Sequence, residues 1–201
     1  NIGNLISQVC YEGKIATEVD DKDRTHPIKK FNGKSIVWID TSMMDKKDES
    51  RLKGGSFCNY AENTIIKKLL EEFKKEGTLP KLDIGIITGY RGQKDLIRKS
   101  VNNSGYDKIA KIIDINTLDA FQGRENDVII YSTVRTKNSI GFQKEKERVN
   151  VAFSRAKNLL IICGDIDFFY RFDDPDNKFI EIIDYIYEHE KECLVIPGGE
   201  I

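Results

Sequence analysis

Thr117-Leu-Asp-Ala-Phe-Gln-Gly-Arg-Glu-Asn-Asp-Val-Ile-Ile130 joins a polar, glycine-containing turn directly to a β-branched apolar run. Further on, Arg148-Val-Asn-Val-Ala-Phe-Ser-Arg-Ala-Lys157 reads as a helix leading into a second apolar run, Leu159 to Cys163. Neither run has the apolar/polar alternation of a half-exposed strand, so both indicate burial on two faces, as in a parallel sheet. A turn able to hold phosphate or ribose, beside a helix able to aim a guanidinium, is what a nucleotide cleft between two lobes requires.

The same grammar extends outward. Ile84 to Thr88, Ile112 to Ile115, Val128 to Val134, Leu159 to Cys163 and Ser35 to Asp40 are strand candidates. Residues 92–101, 144–156 and 178–191 are helix candidates. A further helix carries the stripe Ile65, Ile66, Leu69, Leu70 and Phe73; Asn59 and Glu62 open it and Gly77 stops it. Capping alone accounts for Asn59 and Glu62. Strands alternating with helices predict an α/β layer fold, a mainly parallel sheet flanked by helices. One domain suits 201 residues: a lead-in segment at 1–34, a core at 35–172, and a C-terminal helix and tail at 173–201.

Composition narrows the class. With 39% hydrophobic and 32% charged residues the chain is that of a globular protein. No apolar run reaches the roughly 20 residues that cross a bilayer, and no signal segment opens the chain. The expected setting is cytoplasmic, with no membrane partner. Cysteines at 10, 58, 163 and 193 form no Cys-x-x-Cys pair, and with only His26 and His189 besides, no zinc pattern can be written. No metal site is expected, and Cys163 reads as a buried thiol. A net charge of −1 does not advertise nucleic-acid binding by itself.

Asn32-Gly-Lys-Ser35 imitates the end of a phosphate-binding P-loop, but Ile28 occupies the position of the first glycine and the apolar run follows the serine instead of preceding the loop. The expectation is that this chain has no Walker A motif and no ATPase activity alone.

On 3.6-residue geometry Val149, Ala152, Phe153 and Ala156 face the sheet, whereas Arg148, Val151 and Arg155 face away. Read whole, Val149 to Lys157 resembles motif VI of superfamily 1 helicases, and Thr117 to Val128 resembles motif V in the form of the Upf-like group. Ile86-Ile-Thr-Gly-Tyr-Arg-Gly-Gln93 resembles a third family element at a strand end, with Gly89 where proline is usual, and Ser132 to Arg135 resembles the segment that follows motif V. The opening residues, Asn1 to Lys14, resemble the stretch just after the family's Tyr-Arg-Met element.

The resemblance implies a RecA-like three-layer sandwich, the C-terminal motor lobe of an ATP-dependent helicase or translocase cut from a longer polypeptide. In that family Arg155 falls on the arginine finger that reaches the ATP γ-phosphate. Gly123 and Glu125 fall on the nucleotide side, the carboxylate accepting from ribose, with Arg148 beside them. Thr88, Tyr90, Thr117, Asp119 and Arg135 fall on the nucleic-acid side. The implied ligands are ATP, with Mg²⁺ held by the first RecA-like lobe, and single-stranded nucleic acid; the abundance of Lys, Ile and Asn inclines towards DNA over RNA. The competing readings are a motor-dead nucleic-acid-binding or adaptor module, a nuclease–helicase fusion or defence protein using the lobe as its engine, and a small-molecule α/β enzyme. The last has no nucleophile–base pair or dinucleotide fingerprint behind it.

Overall fold

The structure, a computed structural model, describes residues 1–15, 25–121, 124–141, 145–172 and 174–201. In chain order the elements are α1 (Ile2–Tyr11), β1 (Ile36–Asp40), the short β2 (Ser50–Arg51) and β3 (Phe57–Cys58), α2 (Tyr60–Lys75), β4 (Asp83–Thr88), α3 (Arg91–Ser104), β5 (Ile112–Thr117), β6 (Asn126–Ser132), α4 (Lys146–Phe153), β7 (Ala156–Gly164), α5 (Ile166–Tyr170), α6 (Lys178–Glu188) and β8 (Cys193–Pro197). Six strands form one parallel sheet in the order β5-β4-β6-β7-β1-β8, and β2 and β3 make a separate antiparallel pair.

Two apolar layers explain the uninterrupted runs. Successive strand residues point to opposite faces. Ile36, Trp38, Ile129, Tyr131, Leu160 and Ile162 join one layer with residues of α1, α4 and α6, while Val37, Ile39, Val128, Ile130, Leu159 and Ile161 join the other with α2 and α3. Trp38 anchors the first layer: its ring lies edge-on to Phe169 (5.9 Å) and Phe179 (6.3 Å), and Nε1 donates to the Gly164 carbonyl at 3.0 Å. All four cysteines are free and buried, and burial pushes the Cys163 thiol well above its ordinary value. Asn59 caps α2 as its sequence predicts, accepting from the Glu62 backbone N–H at 3.0 Å. Asn32 and Gly33, both at positive φ, form a turn that enters β1.

Three expectations change. The lead-in segment contains α1, whose Ile2, Leu5 and Val9 are buried. Nothing local signalled it, because Asn1 makes no side-chain cap and the helix is short. The segment 173–201 is more than a helix and tail, because β8 pairs with β1 and extends the sheet. Its short run closes on Pro197, a residue that an edge strand tolerates. Finally, α4 stops at Phe153, so Arg155 stands in the turn before β7 instead of on the helix.

The connection from β5 to β6 positions the site. Thr117 is level with Thr88 and Ser132 at the carboxyl edge of the sheet, whereas Val128 is level with Ile84 near the amino edge. Residues 118–121 therefore turn back across the sheet face, with Leu118 and Phe121 buried beneath. Gly85 makes room for them. A Cβ there would stand 2.6 Å from Ile129 Cδ1, 2.7 Å from Phe121 Cζ and 3.1 Å from Asn126 Oδ1. Gly85→Ala is expected to destabilise the fold by about 1–3 kcal/mol through overpacking, measured by urea denaturation; an unchanged midpoint would show that the crossing segment repacks without strain.

Candidate functional site

The returning segment and the α4–β7 turn meet at the amino ends of β6 and β7. The Asn126 N–H donates to the Arg155 carbonyl at 2.9 Å, stitching the two together. Between them lies a groove of about 320 Å³ lined by Leu118, Asp119, Phe121, Arg148, Val151 and Arg155 among others. Val149, Ala152, Phe153 and Ala156 are buried on the sheet side. That burial leaves the opposite side of α4 to form one wall of the groove.

Arg155 is half-buried, and its Nε donates to the Val151 carbonyl at 3.2 Å. That bond holds the root of the guanidinium along the wall. Arg148 is held at both ends: Nη1 bonds Asp119 Oδ1 at 2.7 Å and Nε bonds Glu145 Oε2 at 2.9 Å. Partial burial works against its charge, but Glu145 and Asp119 outweigh it and hold the guanidinium above its ordinary pKa. Asp119 and Arg148, assigned by sequence to different ligands, thus meet as an ion pair. Glu125 is exposed at the entrance to β6, and Thr117 is half-buried at the end of β5. Gly123, with Gln122, lies outside the described residues.

Three sequence-predicted contact residues face inward instead. Thr88 is fully buried, Tyr90 is 6% exposed and Arg135 is 5% exposed. Thr88 Oγ1 accepts from the Tyr90 N–H at 3.4 Å. Arg135 donates from Nε to Glu49 (2.9 Å), from Nη1 to the Tyr90 hydroxyl (3.3 Å) and from Nη2 to the Lys137 carbonyl (3.1 Å), and it stacks over Phe57 at 4.4 Å. The structure thus turns inward three side chains expected at the nucleic acid. A cation so fully bonded organises the loops around it, because Glu49, brought by the β1–α2 connection, supplies the partner that an exposed arginine would have sought outside.

Sequence reasoning missed Glu62. Beyond the capping turn, its fully buried carboxylate crosses to the end of β6 and accepts from Ser132 Oγ (2.5 Å), Thr133 Oγ1 (3.2 Å) and the Val134 N–H (2.9 Å). Gln93 joins from α3, donating to Ser132 Oγ at 2.9 Å and to the Asn59 carbonyl at 3.2 Å. Val134 sits at φ 71°, and the Arg135 N–H donates to the Thr133 carbonyl at 2.8 Å. This is a tight γ-turn, strained for a β-branched residue. Burial pushes the Glu62 carboxyl up to about 8, against the hydrogen bonds from Ser132, Val134 and Thr133. No local pattern predicts this, since the partners lie some seventy positions away (|i−j| = 70 for Ser132).

Among the described residues no group of three or more His, Cys, Asp or Glu side chains could hold a metal ion, and no helix is long and apolar enough to cross a membrane.

A family model described as an AAA domain matches residues 1–167. Over 169 residues the chain is 35% identical to the regulator of nonsense transcripts 1 of Dictyostelium discoideum, covering 79% of this chain and 12% of that protein. It is 37% identical to the ATP-dependent helicase upf1 of Schizosaccharomyces pombe, covering 79% of this chain and 18% of that one. The chain belongs to the Upf-like group of superfamily 1 helicases, as a C-terminal RecA-like domain. A further relative, the DNA polymerase alpha-associated DNA helicase A of Saccharomyces cerevisiae, is 31% identical over 89% of this chain and 26% of its own length. The helicase domain thus spans at most about a quarter of these three relatives. The large terminase of bacteriophage HK97 shares the fold, with a TM-score of 0.52 at 12% identity over 98% of this chain and 43% of that one. The architecture is a RecA-like three-layer sandwich.

Proposed function

We propose that this domain is the second motor lobe of an ATP-driven translocase on single-stranded nucleic acid, and that Arg155 is its arginine finger. ATP and Mg²⁺ are gripped by a first RecA-like lobe of the same polypeptide. This lobe contributes the groove between the α4–β7 turn and the returning β5–β6 segment. The observation that carries the reading is Arg155 itself, which lines that groove and, unlike Arg148, forms no ion pair among the described residues.

The donor set suits one edge of a triphosphate and no more. A guanidinium bonded among the described residues through Nε alone keeps its terminal nitrogens for an incoming phosphate oxygen, and Glu125, at the entrance to β6, would accept from ribose hydroxyls. Arg148 takes a supporting part, keeping Asp119 against α4 and so shaping the groove. Metal coordination falls to the first lobe. Closure of the two lobes brings Arg155 to the phosphate, so closure and hydrolysis form one gated event. Alternate closing and opening on a strand held across both lobes yields translocation, with 5′ to 3′ polarity as in the family.

The deciding measurement is strand-stimulated ATP hydrolysis by the intact polypeptide with and without Arg155→Ala. Loss of stimulated turnover is expected. Unchanged turnover removes the finger assignment, and an intact protein that hydrolyses no ATP is an adaptor that kept only the fold.

A further inference from the structure

The loops leaving the carboxyl ends of β6, β7 and β1 enclose a second groove, of about 440 Å³, whose lining includes Lys47, Asp48, Lys137, Arg171 and Phe172. In open parallel sheets ligands seat outside the carboxyl ends, where neighbouring strands send their connections to opposite faces. Here β1 leads to α2 on one face, and β7 leads to α5 and α6, whose Phe168, Phe169 and Phe179 pack in the opposite layer. The groove lies over that divergence.

The buried acids of the neighbouring loops are already answered: Asp165 pairs with Lys47, Glu49 with Arg135, and Glu62 is bonded into the β6 turn. The rim carries the cations. Arg171 is exposed, and among the described residues no carboxylate pairs with its guanidinium. Lys137 is half-exposed, and its ammonium pairs with the exposed Asp48 at 3.4 Å, a contact that a phosphate readily replaces. Phe172 leans on Phe168, ring centroids 4.9 Å apart, and lines the groove with what remains open.

We infer that Lys137, Arg171 and Phe172 form a subsite for single-stranded nucleic acid, the two cations on backbone phosphates and the phenyl ring against a base. The inference rests on the translocase reading and adds a place for the strand. It also gives Arg135 a use. Its Nη2 bond to the Lys137 carbonyl, backed by Glu49 and Phe57, fixes the loop that presents Lys137, so Arg135 is a positioning residue. Two rim cations on separate loops, with a partly open ring beside them, suit the spaced single charges and the bases of an extended strand.

The test uses the intact polypeptide and fluorescein-labelled dT₁₂ and U₁₂, with anisotropy recorded across a salt series. Neutralising Lys137→Gln together with Arg171→Gln is expected to lower the slope of log K against log salt by about 1.4, two single-strand phosphates' worth, and to weaken binding roughly tenfold whatever the sequence. Phe172→Leu keeps the apolar contact with Phe168 and is expected to cost about fivefold or more with the slope unchanged. Lys67→Gln with Lys68→Gln, exposed on α2 and absent from the groove lining, is the control and leaves the slope in place. An unaltered slope in the Lys137/Arg171 variant, with strand-stimulated ATPase intact, overturns the subsite and spares the translocase reading. Weakened binding of a fluorescent ATP analogue without weakened oligomer binding makes the groove a nucleotide site and also overturns the subsite. A parent protein that binds neither oligomer overturns both.

Discussion

Replacing Arg155 with alanine lowers strand-stimulated ATP turnover by about 10³–10⁵-fold, the range that arginine fingers supply in phosphoryl transfer. The KM for ATP is expected to move far less, by under about tenfold, because a group that engages only on closure acts chiefly on the transition state. Arg155→Lys should recover little of the loss. The ammonium keeps the charge but not the planar fork that spans two phosphate oxygens. Steady-state kinetics of the intact polypeptide with a saturating single-stranded oligomer reads both numbers. Folding does not confuse the result. The side chain is half-buried and its one described bond is to the Val151 carbonyl, so removing it costs about 0.5–1.5 kcal/mol. A large rise in KM with kcat preserved would instead make Arg155 an ordinary nucleotide-binding residue.

Stability is expected to fall as pH rises through neutrality, and Glu62 is the reason. Its carboxyl is pushed from 4.5 up to about 8 by burial. The folded state therefore keeps this proton where the unfolded chain has released it. The stabilising contribution is complete below the unfolded value and is lost as pH climbs to about 8. At roughly 1.4 kcal/mol per pH unit, the loss across that window is on the order of 5 kcal/mol. The nearby cations offer no relief, since Lys47 pairs with Asp165 and Arg135 with Glu49.

Glu62→Gln should flatten the dependence between pH 5 and 8, because an amide still accepts the Val134 N–H and never ionises. Glu62→Leu should be the damaging change. It leaves the Val134 N–H and the Ser132 and Thr133 hydroxyls without their buried acceptor, each at about 1–3 kcal/mol. It also removes the clamp on a backbone turn held at φ 71°. Thermal melts of the three proteins across the pH series measure this. A wild-type midpoint that rises from pH 5 to 8 would mean that Glu62 is ionised in the fold and paired.

Much of this was legible in one dimension. A two-sided parallel strand must be apolar without interruption, and that constraint wrote β4, β6 and β7 into the chain as visible runs. The α4 stripe was equally plain, as Val149, Ala152 and Phe153 recur at helical spacing and are buried. Motif spacing put Arg148 and Arg155 on one side of α4, but that Asp119 joins them in one groove was visible only in the structure. Inward or outward orientation was not legible. Thr88, Tyr90 and Arg135 look like surface contacts until Glu49 and Phe57 arrive from another part of the chain, and α1 and β8 lack caps or long runs to announce them.

The order of residues alone determined the layer architecture, the family and the pair of segments that bound the groove beside Arg155, since each depends on periodicity or on contiguous stretches. Tertiary structure decided the partners of the charges. Glu62 reaches Val134, Arg135 reaches Glu49 and Arg148 reaches Asp119. Whether a charged side chain is a tool or a strut depends on which opposite charge folding brings beside it, and that is a property of three-dimensional neighbours.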